Sequence, residues 1–451
     1  MTGLPITGMN AAFLHLETPS APLNIVGILW IDDTRGPAFT RDEFAGRLAA
    51  LVDQAPPWRQ RPERTRRGRG FVWADCSLDL DHHVQRIVAP PGSGPEFVVG
   101  IATERAGHHL PRDRPLWLHT VVEGVAGPDG ATAALVTCTH HARNDGLGAL
   151  AALAVLAGAP VPVQPEAAPS SPGRRLARAA RATIAPLRVA RRVRRRRKAG
   201  QRVPRGPRDT PRLTVSRAIT AERVLATVEV PVADLLEVRR AFGVTFNDVY
   251  LALVAGAVRA WLGPDCPDVP AVAIVPLSTR AGNDAPTNQF TAYVTGLPVH
   301  LAEPAARVRD VAAEMTAVKE FHADADAVGL DLATVPWSLV GRWFTRYSER
   351  GRADTGRLAA NLLATSIAGP REILDLGGYR LVGMTAFGPI TDGITVNVTG
   401  VSYGDRVRIG IAGAAVVEPG VASLAESFTG EAARLLAAAR SIGGSADDGP
   451  S

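Results

Sequence analysis

One short string decides most of what this chain can be. In Val136-Thr-Cys-Thr-His140-His141-Ala-Arg-Asn-Asp145-Gly146, a histidine pair precedes an Asp-Gly at fixed spacing. An apolar β-type run, Ala131 to Thr139, leads into it, and a helix-like run, Leu147 to Ala157, leads out. The pair is therefore expected where a strand hands over to a helix, the edge at which open α/β layers bind ligands. Imidazole is the side chain that titrates near neutral pH without help, so it suits proton transfer. Adjacent strand residues point to opposite faces, so one of the two histidines should face a given cavity. Asp145 can cap the following helix or pair with a cation, and Gly146 permits a tight turn. A histidine at a strand end is by itself an ordinary satisfied polar group. The pairs His82-His83 and His108-His109 lack the Asp-Gly, so the signal is the whole string. No HExxH or CxxC spacing occurs, and adjacent histidines do not easily share one ion, so no metal is expected. Cys138, two residues upstream, reads as an inward-packing strand residue rather than a nucleophile.

At 451 residues with 46% hydrophobic content, the chain can bury two cores of ordinary domain size or one large two-lobed unit. Its three cysteines, Cys76, Cys138 and Cys266, are too few and scattered for a disulfide framework, which favours a reducing, cytoplasmic setting. No basic segment followed by an apolar core opens the sequence, so no signal peptide is expected. The apolar run Gly148 to Val163 contains Pro160 and Pro162 and falls short of the roughly 20 residues a spanning helix needs. The net charge of +6 is concentrated. Residues 174–208 hold fifteen Arg or Lys and no acid; taking those fifteen away leaves −9 on the rest.

Along the chain, the alternation of strand-like and helix-like runs predicts two α/β bodies, each with helices on a mixed sheet. The first covers 1–160 and carries the histidine string. A Pro- and Arg-rich basic linker covers 161–213. The second body covers 214–440, with Thr245 and Asp248 spaced to cap a helix and a β-meander from Tyr379 onward. Residues 441–451 read as a disordered tail. A cleft between the bodies is the default place for a substrate.

The string resembles that of the CoA-dependent acyltransferase superfamily. The chain is most similar to the bacterial wax ester synthase/acyl-CoA:diacylglycerol acyltransferase (WS/DGAT) family. Asn10-Ala-Ala-Phe-Leu-His-Leu-Glu17 resembles the start of that family, and Arg114-Pro-Leu-Trp117 its PLW motif. Asn247-Asp248 resembles its ND motif, Val275-Pro-Leu-Ser-Thr-Arg280 with Asn288 its second-domain strand motif, and Ser402-Tyr403 its last block. The order and spacing of these around HHxxxDG carry the resemblance. The sequence departs from the family at Thr365-Ser-Ile-Ala-Gly-Pro370, which lacks the Asn and first Pro of an SNVPGP-like stretch.

The resemblance implies two chloramphenicol acetyltransferase-like domains with an interdomain channel. It implies His141 as general base, with His140 and Asp145 completing the catalytic string and Asp145 held structurally by an arginine. It implies Gly146, Asn247, Asp248 and Trp117 around the substrate. It also implies acyl-CoA as donor and a diacylglycerol or long-chain alcohol as acceptor, with no cofactor and no covalent intermediate. From the residues alone, Asn247 could equally cap its helix and Trp117 belong to the core. The Arg-rich stretch 174–198 suits an anionic membrane or lipid-droplet surface, and its lack of interleaved aromatics argues against nucleic acid. Two alternatives stay open: a diverged transferase that acylates a specialised metabolite or uses a carrier-protein donor, and a catalytically silent membrane- or lipid-binding protein.

Overall fold

The computed structural model describes residues 3–6, 8–52, 56–65, 70–143, 157, 187, 190–205, 209–278, 290–323 and 360–447. Asp145, Gly146 and nearly all of the helix-like run Leu147 to Ala157 lie outside these residues.

The first body opens with β1 (Leu4–Ile6) and a helix, Gly8–Leu16. Then come β2 (Asn24–Asp32), the helix Arg41–Val52, β3 (Gln60–Arg64), β4 (Phe71–Asp75), β5 (Val84–Val88), the helix Pro95–Gly107, β6 (Trp117–Glu123) and β7 (Ala133–His140). β2 and β7 pair antiparallel at the centre of a five-stranded sheet. Their period-two patterning sorts the side chains between two cores. Val26, Ile28, Trp30, Ala134, Val136 and Cys138 join the cluster holding Val98, Ile101 and Ala102 of the helix Pro95–Gly107. Leu29, Ile31, Ala133 and Leu135 join the cluster holding Phe44 and Leu48 of the helix Arg41–Val52. Thr40 accepts from the Glu43 N–H at the start of that helix, as its sequence suggests. A three-stranded sheet, β1-β4-β3, lies apart.

The second body contains β8 (Arg223–Pro231), the helices Val232–Phe242 and Phe246–Leu262, β9 (Ala271–Ser278), β10 (Phe290–Leu297), the helix Pro304–Ala323 and β11 (Leu362–Ala368). β12 (Arg380–Phe387), β13 (Val396–Tyr403), β14 (Arg406–Ala414) and the helix Val421–Asp447 follow. Six of these strands form a mixed sheet in the order β10-β9-β11-β13-β14-β8, with β11 parallel to both of its neighbours. The helix Phe246–Leu262 is apolar almost all round and is buried accordingly. On the helix Pro304–Ala323, Val308, Val311, Met315 and Val318 make the buried stripe that their spacing predicts. Burying each such side chain stabilises by roughly 1.5–3 kcal/mol. The terminal helix runs to Asp447, beyond the point where the sequence suggests that order ends.

The meander expected from Tyr379 does not hold as one unit. β13 and β14 form the hairpin at Gly404-Asp405 in the second sheet. β12 instead crosses to the first sheet and pairs antiparallel with β2, Met384 opposite Leu29. It covers what would otherwise be an open edge. Leu381, Met384 and Ala386 enter one core and Val382 and Phe387 the other, so β12 is buried on both faces. Two buried arginines add polar ties between the bodies. Arg223 donates to the Ser20 carbonyl at 2.8 Å, and Arg408 bridges Asp129 of the first body and Glu229 of the second.

The described residues 190–205 of the basic stretch are tied to the second body. Residues 190–198 are helical, and one side docks on the helix Pro304–Ala323. Arg192 lies over the Phe321 ring and donates to the Glu320 carbonyl, and Arg196 pairs with Glu320 at 2.9 Å. Arg202 pairs with Asp310 and Glu314. Arg191, Arg194, Arg195 and Lys198 occupy the exposed side at i, i+3, i+4 and i+7 spacing.

Candidate active site

β7 ends at His140, between β2 and β6. The His140 N–H donates to the Leu116 carbonyl and the His141 N–H to the Leu23 carbonyl. The chain then turns, with the Arg143 N–H donating to the His140 carbonyl at 2.8 Å. The two imidazoles meet different surroundings.

His140 is 1% exposed. Its Nδ1 accepts from the Ala142 N–H at 3.0 Å, so in the neutral ring the proton sits on Nε2. Nε2 faces Glu17 Oε1 at 3.5 Å. Glu17 is itself a hub: it accepts from His109 Nδ1 at 2.9 Å and from the Arg112 guanidinium. Burial alone would raise the Glu17 carboxyl, but hydrogen bonds from His109, His140 and Arg112 overcome it and hold the group well below the usual carboxylate range. His140 is therefore locked in tautomer and orientation, with both ring nitrogens directed at protein groups.

His141 is half-buried and stacks on Phe13, ring centroids 3.9 Å apart and 16° from parallel. Desolvation pushes its pKa down to about 4; its own backbone carbonyl opposes the shift and His140 adds to it. The ring is neutral at physiological pH, and a neutral imidazole can accept a proton. Phe13 and Glu17 lie four apart on and just beyond the helix Gly8–Leu16, so one short element orients both histidines. Sequence reasoning took this stretch as a family mark without assigning Phe13 or Glu17 a task, and it set His109 aside. The i, i+4 spacing was the available signal.

The remaining expected site residues divide. Trp117 is packed in the core, its indole N–H donated to the Trp58 carbonyl and its ring among Trp58, His83 and His119. At 2% exposure it packs as a core side chain. Asp248 forms a capping box with Thr245: its Oδ2 accepts from the Thr245 N–H at 2.9 Å and its N–H returns to Thr245 Oγ1 at 3.2 Å. Its role in this geometry is to start the helix. Because Thr245 and Asp248 do the capping, Asn247 is spared that duty, and its Nδ2 is buried with no hydrogen-bond partner. Asn247 belongs to the second body, Trp117 and the histidines to the first. Burial lifts the Cys138 thiol to about 12, which removes it as a nucleophile at ordinary pH. Among the described residues, no three His, Cys, Asp or Glu side chains converge as a metal site.

Two mixed sheets, joined by a strand that crosses from the second body to the first, place a histidine pair at the end of a central strand. Residues 6–250 match the wax ester synthase/diacylglycerol acyltransferase catalytic domain, and residues 287–435 match the WS/DGAT C-terminal domain. The chain belongs to this WS/DGAT family and is an acyltransferase. A Mycobacterium tuberculosis protein bearing a diacylglycerol O-acyltransferase name is 31% identical over 457 residues, covering 96% of this chain and 90% of the relative. A second protein from that organism, similarly named, is 34% identical over 96% of this chain and 97% of its own length. Among solved structures, the wax ester synthase/diacylglycerol acyltransferase from Marinobacter aquaeolei VT8 superposes with a TM-score of 0.68 at 21% identity, covering 97% of this chain and 100% of that one. The first condensation domain of the calcium-dependent antibiotic synthetase gives 0.62 at 16% identity, covering 97% and 96%.

Proposed function

We propose that this enzyme moves a long-chain acyl group from acyl-CoA to the hydroxyl of a diacylglycerol or long-chain alcohol, with His141 as general base. The observation that carries this reading is the division of labour between the two histidines. His140 is committed to Ala142 and Glu17, whereas His141 is neutral, half-buried and stacked on Phe13. In the proposed step, the imidazole takes the proton of the acceptor hydroxyl as that oxygen attacks the thioester carbonyl. The tetrahedral intermediate collapses, the C–S bond breaks, and the proton passes to the departing CoA thiolate. No covalent acyl-enzyme forms. The buried, unspent amide of Asn247 supports a further role as hydrogen-bond donor to the developing oxyanion. Asp145 and Gly146 are assigned to shaping the loop after the base.

His141→Ala should abolish ester formation from labelled acyl-CoA while its circular dichroism stays that of the wild type. Ester formation at the wild-type rate would remove His141 as base. A panel of acyl-CoA and acyl-carrier-protein donors separates this reading from a carrier-protein transferase.

The second part of the reading is a peripheral location on an anionic lipid surface. It is supported by the stripe Arg191, Arg194, Arg195 and Lys198, all of one sign, presented by a helix whose other side is anchored by Arg192 and Arg196. Each basic residue near such a surface contributes about 1 kcal/mol and is screened by salt. Among the described residues no single helix is long and apolar enough to cross a membrane. Arg194→Glu with Arg195→Glu should weaken pelleting with phosphatidylserine vesicles, most at low salt. Undiminished pelleting would remove this stripe as the contact.

A further inference from the structure

Arg143 sits two residues beyond His141, and the mechanism above does not use it. It is 4% exposed. Its guanidinium lies over the Trp73 ring, 4.5 Å from the centroid. That stacking covers a face of the group and leaves the N–H edges unspent. Both Nη1 and Nη2 are buried and, among the described residues, have no hydrogen-bond partner. Burial draws the pKa down to about 9, with no carboxylate acting to restore it, so the group remains a cation at neutral pH. A buried cation with neither ion pair nor hydrogen bond is costly, and proteins keep such groups where something else pairs with them.

The position limits what that partner is. Consecutive Cα atoms are 3.8 Å apart, so the Cα of Arg143 is no more than about 7.6 Å from that of His141. Trp73, under the guanidinium, belongs to the same hydrophobic cluster against which Phe13, under the imidazole, is packed. Both groups thus lie on the turn that ends β7, each stacked on a ring of the first body. In acyl-CoA, the whole pantetheine arm separates the thioester from the phosphates. A hydroxyl at His141 can carry an anionic group on a neighbouring carbon. The planar fork of arginine matches a carboxylate or phosphate bidentately.

We propose that Arg143 forms an oxyanion-binding subsite beside His141 that receives a carboxylate or phosphate borne by the acyl acceptor close to its reacting hydroxyl. The acceptor class is then a hydroxylated lipid acid, such as a β-hydroxy fatty acid or a lysophosphatidate, alongside neutral alcohols. This rests on the acyltransferase reading and refines its acceptor.

The experiment compares kcat/KM with palmitoyl-CoA for matched acceptors: a β-hydroxy fatty acid against its methyl ester, and lysophosphatidate against monoacylglycerol. The wild type should prefer the anionic member of at least one pair, and Arg143→Gln should reduce that preference roughly ten- to hundred-fold. Arg143→Lys, which keeps the charge and loses the fork, should fall between. Without acceptor, Arg143→Gln should keep or raise Tm, because it removes an uncompensated buried charge. A wild type that favours the neutral members, or a preference that Arg143→Gln leaves unaltered, overturns the subsite. So does a marked drop in Tm, which would show that the guanidinium already has an internal partner such as Asp145. If Arg143→Gln instead raises KM for palmitoyl-CoA but not for palmitoyl-pantetheine, the oxyanion belongs to the donor and the acceptor assignment falls. Absence of ester from every acceptor with the wild type would fail the acyltransferase reading itself, a separate result.

Discussion

Two arginines, one in each body, are buried almost equally and are treated in opposite ways. Arg307, 1% exposed, is closed on itself: its guanidinium pairs with Glu431 and donates to the Leu301 and Ala302 carbonyls at 2.7 Å. Arg143, beside the histidine pair, has Trp73 beneath it and nothing on its donor edges. The same contrast holds between neighbours. His140 is engaged at both nitrogens, and His141 is fixed by a ring stack. The Arg307 charge is met by a carboxylate of the chain. Arg143, just past the end of β7, is oriented by Trp73, and its Nη1 and Nη2 have no hydrogen-bond partner among the described residues.

The sharpest way to break that contrast is at the base. General-base catalysis contributes about 10²–10⁴ in rate, so His141→Ala should lose at least that factor in single-turnover ester formation. At the scaffold pole, Glu431→Leu strands Arg307 in the core. Removing one partner of a buried ion pair costs about 3–5 kcal/mol, so calorimetry should show a large fall in Tm. An unchanged Tm would mean that the two backbone carbonyls suffice.

A smaller effect is pH dependence. Desolvation lowers His83 and His141 to about 4 and His119 to about 3, while their unfolded values lie near 6.5. Between those limits the unfolded chain binds more protons than the folded one, so stability falls as pH drops below about 6.5. His119→Leu should flatten the acid side of a Tm–pH curve. The kcat profile should hold well below pH 6 and fall only toward 4, as His141 becomes charged. An acid limb centred at 6.5 would contradict a desolvated ring.

Much of this was readable in the residues. The near-continuous apolar runs in Ala133–His140 and Asn24–Asp32 mark strands buried on both faces. Thr245 and Asp248 announce their capping box, and the spacing of Val308, Val311, Met315 and Val318 announces a helix face. β12 was not readable as a strand of the first sheet, because Arg-Leu-Val-Gly-Met-Thr-Ala-Phe387 would suit either. Whether Trp117 packs in the core or lines the site was left open by the sequence, because an aromatic in a motif does not say which side of the sheet it lies on; in the fold it is 2% exposed.

The amino-acid order determined what is local: which segments extend or coil, where they cap, and that a proton-accepting pair ends a strand. Hydrogen bonding and side-chain period act over a few residues and leave their mark in the string. Tertiary packing decided what depends on distant neighbours. It brought Glu17 to His140, Phe13 to His141 and Met384 to Leu29, and it buried Arg143 over Trp73. Desolvation, the force that sets the protonation of these groups, is a property of everything packed around a side chain and not of the residues beside it in sequence.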